Sequence, residues 1–300
     1  MDRAELDLVA WAFADDGVPT EALQELAAEL APDGVGRIEL LRRGSNVVLQ
    51  APESRCILRL QHAHLADAVK ANLDLVARLT ATGAPLVGPL TSRVAMTDVV
   101  VLTAWPAGQP ANAEDTAALG AVLQTLHDVQ PPRELSLVNV TDRFDRRFAD
   151  LPSDIPNRIA KALRDHADLA VDTLRAASSS SDVLLHGDAH VGNLVFLHDE
   201  PRLIDLDDLC RGPREFDLAP SLASYQRFHR DDRRWQAFRA AYGESADWDL
   251  VNTLTVVREA TMNTWLAGLW EHDPHARDEL IHRVDTWDKD WNSHEPWRAM

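Results

Sequence analysis

Residues 184–208 read LLHGDAHVGNLVFLHDEPRLIDLDD, and most of what this chain reveals about itself lies in them. An apolar run, Val183 to Leu185, leads into a loop carrying an acid, Asp188, and then an amide, Asn193. A second apolar run, Leu194 to Leu197, is followed by the turn His198-Asp199-Glu200-Pro201 and by a third run ending at Asp205. The pattern predicts strand, loop and hairpin, with Asp188, Asn193 and Asp205 all at strand ends where they can converge. Phosphoryl transfer asks for such a set: a carboxylate to orient and deprotonate the attacking hydroxyl, and an amide plus a second carboxylate to hold magnesium against the phosphates. A rival use of the same loop is a zinc or dinuclear hydrolase centre built from His186, Asp188, His190 and His198. It leaves Asn193 and Asp205 without a role, and no further ligands stand at other strand ends.

Working outward, the composition is that of an ordinary globular protein. The chain has 300 residues, 45% hydrophobic and 26% charged. That is enough for one large domain or two lobes. A net charge of −18 argues against nucleic-acid binding, which needs basic surface. It would suit a cationic partner by long-range steering, but acidity spread along the chain speaks first to solubility. No apolar run approaches bilayer length, and the start shows no basic segment followed by an apolar core. Two distant cysteines, Cys56 and Cys210, read as reduced thiols, and a cytoplasmic location is the expectation.

The first third reads as amphipathic helices at about Ala4–Ala14 and Glu21–Leu30, the second capped by Thr20. Strand-like runs follow at Arg37–Leu41, Asn46–Gln50 and Cys56–Leu60. A helix is predicted over Leu65–Ala81, a strand over Val99–Thr103, and a linker over Trp105–Pro110. Beyond it the pattern is mostly helical: about Ala113–Val129, Ile155–Ala177 ending in Ser178–Ser181, and Phe216–Trp291 with breaks near Gly243 and Pro274. A strand-rich first third joined to a helical remainder predicts two lobes with a ligand cleft between them. Seven of the nine tryptophans fall after residue 230. Helical spacing favours packing for most of them, with one or two left to line an acceptor pocket. Asp247, Glu259, Glu271 and Asp273 are candidates to hold substrate amino groups. The adjacent acids Asp207 and Asp208 read as solvated, with help to the metal site as the other option.

The order His-Gly-Asp, then Asn193, then Asp205 with Asp207, then Asp217-Leu218-Ala219, resembles the aminoglycoside phosphotransferase and choline kinase group. The resemblance runs from about Arg37 to the early 220s. It implies an α+β, bilobal, protein-kinase-like fold: a small antiparallel-sheet lobe (1–104) carrying the nucleotide, and a larger helical lobe (105–300) for catalysis and acceptor binding. It implies Asp188 as catalytic base, Asn193 and Asp205 as metal ligands, and His186 and Asp217 as support beneath the loop. His190 either reaches the transferred phosphate or faces solvent. Ser45 and Asn46 stand where the family has a loop over the phosphates. Arg59 lies where the fold's phosphate-pairing lysine belongs, and Asp74 falls at the position of its glutamate partner, with Asp67 as the fallback. Leu102 and Ala104 match the hinge whose backbone reads the adenine edge. The implied reaction is magnesium-dependent transfer of the terminal phosphate of ATP or GTP to a hydroxyl of a small molecule. An aminoglycoside acceptor would make this a resistance enzyme, an amino alcohol or sugar a metabolite kinase. The replacements at Arg59 and Asp74 also admit a nucleotide-binding module that has lost catalysis.

Overall fold

A computed structural model describes residues 21–31, 34–43, 46–177, 182–228, 231–289 and 295–299. The helix expected at 4–14, the cap Thr20, the serine run 178–181 and Trp291 lie outside the described residues. In chain order the first elements are α1 (Glu21–Leu30), β1 (Glu39–Arg43), β2 (Val47–Ala51), β3 (Cys56–His62), α2 (Ala66–Ala81), β4 (Ala95–Met96), β5 (Val100–Pro106) and β6 (Gln109–Pro110). There follow α3 (Thr116–His127), α4 (Thr141–Ala149), α5 (Asn157–Ala177), β7 (Val183–Leu185), β8 (Leu194–Leu197), β9 (Glu200–Leu203) and β10 (Cys210–Gly212). The chain continues through α6 (Glu215–Arg227), α7 (Asp232–Tyr242), α8 (Trp248–Ala267) and α9 (Pro274–Lys289).

These elements form two compact units, one of residues 1–111 with 192–207, the other of residues 112–191 with 208–300. The sequence placed one division at 104/105. In the structure the hairpin β8–β9 groups with the first unit, because β8 pairs with β6 and Leu203 exchanges backbone bonds with Pro85 and Val87. The supposed linker 105–110 is therefore mostly strand: β5 runs to Pro106, and Gln109 and Pro110 pair with Phe196 and Val195.

In the first unit a five-stranded antiparallel sheet has the order β1-β2-β3-β5-β4. Alternation decides what each face does, since successive side chains point to opposite sides. Val47, Leu49, Ala51, Cys56, Leu58 and Leu60 are buried on one face, with Leu23, Leu26, Ala27 and Leu30 of α1 in the same core. Burying each leucine contributes roughly 1.5–3 kcal/mol. Val48, Ile57 and Arg59 necessarily face the other side. There α2 buries Ala66, Val69, Leu73, Val76 and Leu79, a stripe with helical spacing, near Val101 and Trp105. Helix α2 stops where Gly83 takes φ 92° and Ala84 N–H returns to Leu79 O, a left-handed termination open to glycine.

The second unit is built of helices around the short ladder β7–β10, in which Leu185 faces Cys210. Asp231 and Asp247 cap α7 and α8 by accepting two backbone N–H groups each. Asp273 does the same for the N–H groups of His275 and Ala276. Glu259 is buried against Arg227 at 2.6 Å. Three of the four acids suggested for a substrate thus have structural partners, and Glu271 is exposed. Trp270 and Trp297 are buried, as packing residues should be, whereas Trp265 is exposed. No helix among the described residues is long and apolar enough to cross a membrane.

Candidate active site

The hairpin β8–β9 is closed by His198 and Asp199, both at positive φ (52° and 66°), the backbone of a tight two-residue turn whose twist suits paired strands. Its register, Leu194 opposite Leu203, continues into a bond from Ile204 N–H to Asn193 O at 2.9 Å. Asn193 and Asp205 are thereby held side by side at the open end. Asp205 itself takes φ 62°, a region L residues seldom adopt and one that recurs at functional positions. Asn193 is buried, while the Asp205 side chain keeps 36% of its surface.

Both line a cavity of about 300 Å³ in the first unit, together with Arg59. Its walls include Val48 and Ile57 from the second face of the sheet, with Val87, Trp105 and Val195. An apolar slot with a few convergent polar groups at one end has the usual form of a small-molecule site. Leu102 and Ala104 are not part of it. Leu102 lies inside the sheet, opposite Leu60 on one side and Ala95 on the other, and Ala104 O accepts from Leu90 N–H. The cavity wall lies further on, at Trp105, Pro106 and Gly108.

Arg59 does not meet Asp74. Its Nη2 lies 2.6 Å from Asp207 Oδ2 and 3.5 Å from Asp205 Oδ1. The helix residue that reaches this group is Asn72, whose amide donates to Leu206 O at 3.0 Å and to Asp207 at 3.4 Å. Asp74 is two residues on, roughly 200° round the helix, and is exposed, as is Asp67. Asn46 also approaches Asp207, at 3.5 Å, and does not border the cavity. Ser45 lies outside the described residues. Asp207, read from the sequence as a solvated acid, is the meeting point of Arg59, Asn72 and Asn46. Its alternation with Asp205 was the one signal of this.

The loop 186–193 starts in the second unit. Gly187 takes φ 88°, and a Cβ there would fall 2.2 Å from Asp208 O, so only glycine fits. Beneath it Asp217, fully buried, accepts from the backbone N–H of His186 (2.6 Å) and Gly187 (3.0 Å) and from His127 Nε2 (3.3 Å). His186 is fully buried too, and its Nδ1 accepts from Asp188 N–H at 3.3 Å. Asp188 stands at the rim, 30% exposed, with Arg258 Nη1 2.5 Å from Oδ1 and His190 Nε2 3.9 Å from Oδ2. Burial alone would push the Asp188 carboxyl up. The charges of Arg258, His190, Arg143 and His186 outweigh it and hold the group below its ordinary value. Arg258 and Arg143 were not anticipated, since nothing in a helical stretch marks which arginine reaches a distant loop. His190 also borders a second cavity in this unit, about 240 Å³, lined by Leu119, Tyr225, Trp235 and Phe238. Among the described residues no group of three or more His, Cys, Asp or Glu is arranged to hold a metal, and His186 is committed to the loop backbone.

Residues 37–254 match the model of the phosphotransferase enzyme family. Among solved structures the chain is similar to the amicoumacin kinase hAmiN in complex with AMP-PNP, Ca2+ and Ami. There the identity is 17% and the TM-score 0.67, over 87% of this chain and 90% of that one. It is similar to the spectinomycin phosphotransferase APH(9)-Ia in complex with ADP and spectinomycin at 15% identity and TM-score 0.64, covering 93% and 96%. A choline/ethanolamine kinase family protein from Mesorhizobium loti gives 16%, TM-score 0.60, and 97% of both chains. Comparison with curated proteins finds no match.

Proposed function

Because this chain belongs to the phosphotransferase enzyme family, and is a small-molecule phosphotransferase with a kinase-like fold, we propose that it transfers the terminal phosphate of ATP, or of GTP, to a small-molecule hydroxyl. The observation that carries this reading is the first unit's cavity, where Asn193, Asp205 and Arg59 share one polar end against apolar walls. The walls suit a purine and the polar end a polyphosphate. Structures of two of the similar proteins were solved with a nucleotide.

Asn193 and Asp205 offer hard oxygen donors of the kind magnesium takes, and two protein ligands suffice for an ion that keeps waters and binds phosphate oxygens. Bound there, magnesium would supply charge neutralisation to the phosphates. Arg59, held by Asp207, presents its guanidinium to the same end of the cavity. In the second unit Asp188 accepts the hydrogen bond of the acceptor hydroxyl and takes its proton as the oxygen bonds to phosphorus and the nucleoside diphosphate departs in line. The first unit thus serves the nucleotide and the second the acceptor. Asp217 and His186 keep the loop in place, and His190 stands beside the base.

An aminoglycoside-type antibiotic, an amino alcohol and a sugar all belong in the acceptor screen, because the similar proteins named above act on unlike molecules. The test is nucleotide binding by titration calorimetry with and without magnesium, followed by acceptor-dependent ADP release. Binding that needs magnesium and is lost in Asp205→Ala is the expected result. Binding untouched by that change, or none at all, would overturn the reading.

A further inference from the structure

Asp188 is ringed by more positive charge than its own carboxylate can answer. Arg258 lies 2.5 Å from it, and Arg143 is paired with the half-exposed Asp208 at 2.7 Å. Arg147, one turn beyond Arg143 on α4, donates to Thr261 O and, at 3.0 Å, to Thr264 Oγ1. Three guanidinium groups thus face two carboxylates, leaving one positive charge over. The crowding is felt: burial, with repulsion from Arg143 and Arg258, pulls Arg147 down to about 10.

This inference rests on the phosphotransferase reading and deepens it. A hydroxyl that hydrogen-bonds Asp188 shares that carboxylate with Arg258, whose side chain is only 21% exposed. A guanidinium left there without an anion is costly. When Asp188 takes up the hydroxyl's proton its own negative charge is gone, and Asp208 and the anionic groups of the substrates, the arriving phosphoryl among them, are left to answer the three arginines. Arg143, Asp188, Arg258 and Thr261 border one small cleft. An ammonium beside the hydroxyl would sit against two or three guanidinium groups, whereas a carboxylate would complete their pairing.

We infer that the acceptor is a hydroxy acid, with an anionic oxygen group close to the hydroxyl that is phosphorylated, held by Arg258 and Arg143. The negative charge of the whole chain does not decide this, because the local field at the base is positive.

The experiment is acceptor-dependent ADP release by the full chain with ATP and magnesium. Each acceptor comes as a set on one carbon frame: the hydroxycarboxylate, its phosphate-bearing counterpart, the neutral amide and the amino alcohol, with aminoglycosides alongside. The acids should exceed amide and amine in kcat/KM by about 10²-fold, and the better of carboxylate and phosphate names the anion. Arg143→Gln should lower kcat/KM for the acid by about 10²-fold, chiefly through KM, and by much less for the amide, and Arg143→Lys should recover part of the loss. Preferred turnover of amines or aminoglycosides, turnover of no acid in the panel, or indifference to Arg143→Gln would each overturn the inference. Nucleotide binding, measured separately, distinguishes that failure from failure of the phosphotransferase reading itself.

Discussion

Arg59 grips Asp207 with both arms of its guanidinium, Nη2 to Oδ2 at 2.6 Å and Nη1 to Oδ1 at 3.3 Å. The pair takes the place expected for Arg59 with Asp74, and it joins a strand of the sheet to the end of the β8–β9 hairpin. Forked arginine–carboxylate pairs fix orientation as well as charge. Asp207→Asn should therefore weaken nucleotide binding by about tenfold, or about 1.4 kcal/mol. Asp74→Ala should leave it unchanged, as expected of an exposed helix residue. Calorimetric titration of both variants distinguishes the two partners, and equal losses would argue against the assignment.

Removing the charge of the base tests the chemistry apart from binding. Asp188→Asn should reduce kcat by about 10²–10⁴-fold while the nucleotide dissociation constant stays within about twofold. Near wild-type turnover in a folded variant would show that another group takes the proton.

The arginine beside the base has a consequence in pH. Asp188 is held below its ordinary value with Arg258 the largest of the charges acting downward. With Asp188 as the proposed base its ionised form is the active one, so activity should be lost as pH falls through its pKa, and the acid limb of kcat/KM should lie below the usual carboxylate range. Arg258→Gln removes charge that favours the ionised form, so the limb should move upward. A pH–rate profile of the two proteins reads this directly, and a limb that stays put would discount the pairing.

Asp217 is expected to carry stability rather than chemistry. It is fully buried and satisfies the backbone N–H groups of His186 and Gly187. Asp217→Ala strands buried donors and should cost about 3 kcal/mol, visible as a lower urea midpoint. A change below about 0.5 kcal/mol would mean the loop finds other support.

Aromatic packing yields one more expectation. Trp235 borders the cavity beside His190 and stacks on Tyr225 and Phe238 at 5.7 Å each. If the body of the acceptor lies there, Trp235→Ala raises KM about tenfold and barely alters kcat. Loss confined to thermal stability would mark it as packing alone.

Much of this molecule could be read along one dimension. The loop around Asp188, the hairpin from Leu194 to Leu203 and the helix Glu21–Leu30 follow from local periodicity and turn chemistry, which act over a few residues. So do β1, β2, β3 and β5 of the first unit, whose bounds moved by at most three residues, while β4 and β6 did not stand out. The proximity of Asn193 to Asp205 was legible too, because a short hairpin joins them. Partners far apart in sequence were not. Asp207 for Arg59, Arg258 for Asp188 and Glu259 for Arg227 depend on which face of a helix or strand packs inward. A one-residue difference in register exchanges those faces. Leu102 and Ala104 fall short of the cavity for the same reason, since which residues of a strand border a pocket depends on how its neighbours pack. Residue types and short-range geometry named the chemistry, while packing chose the charges that surround it.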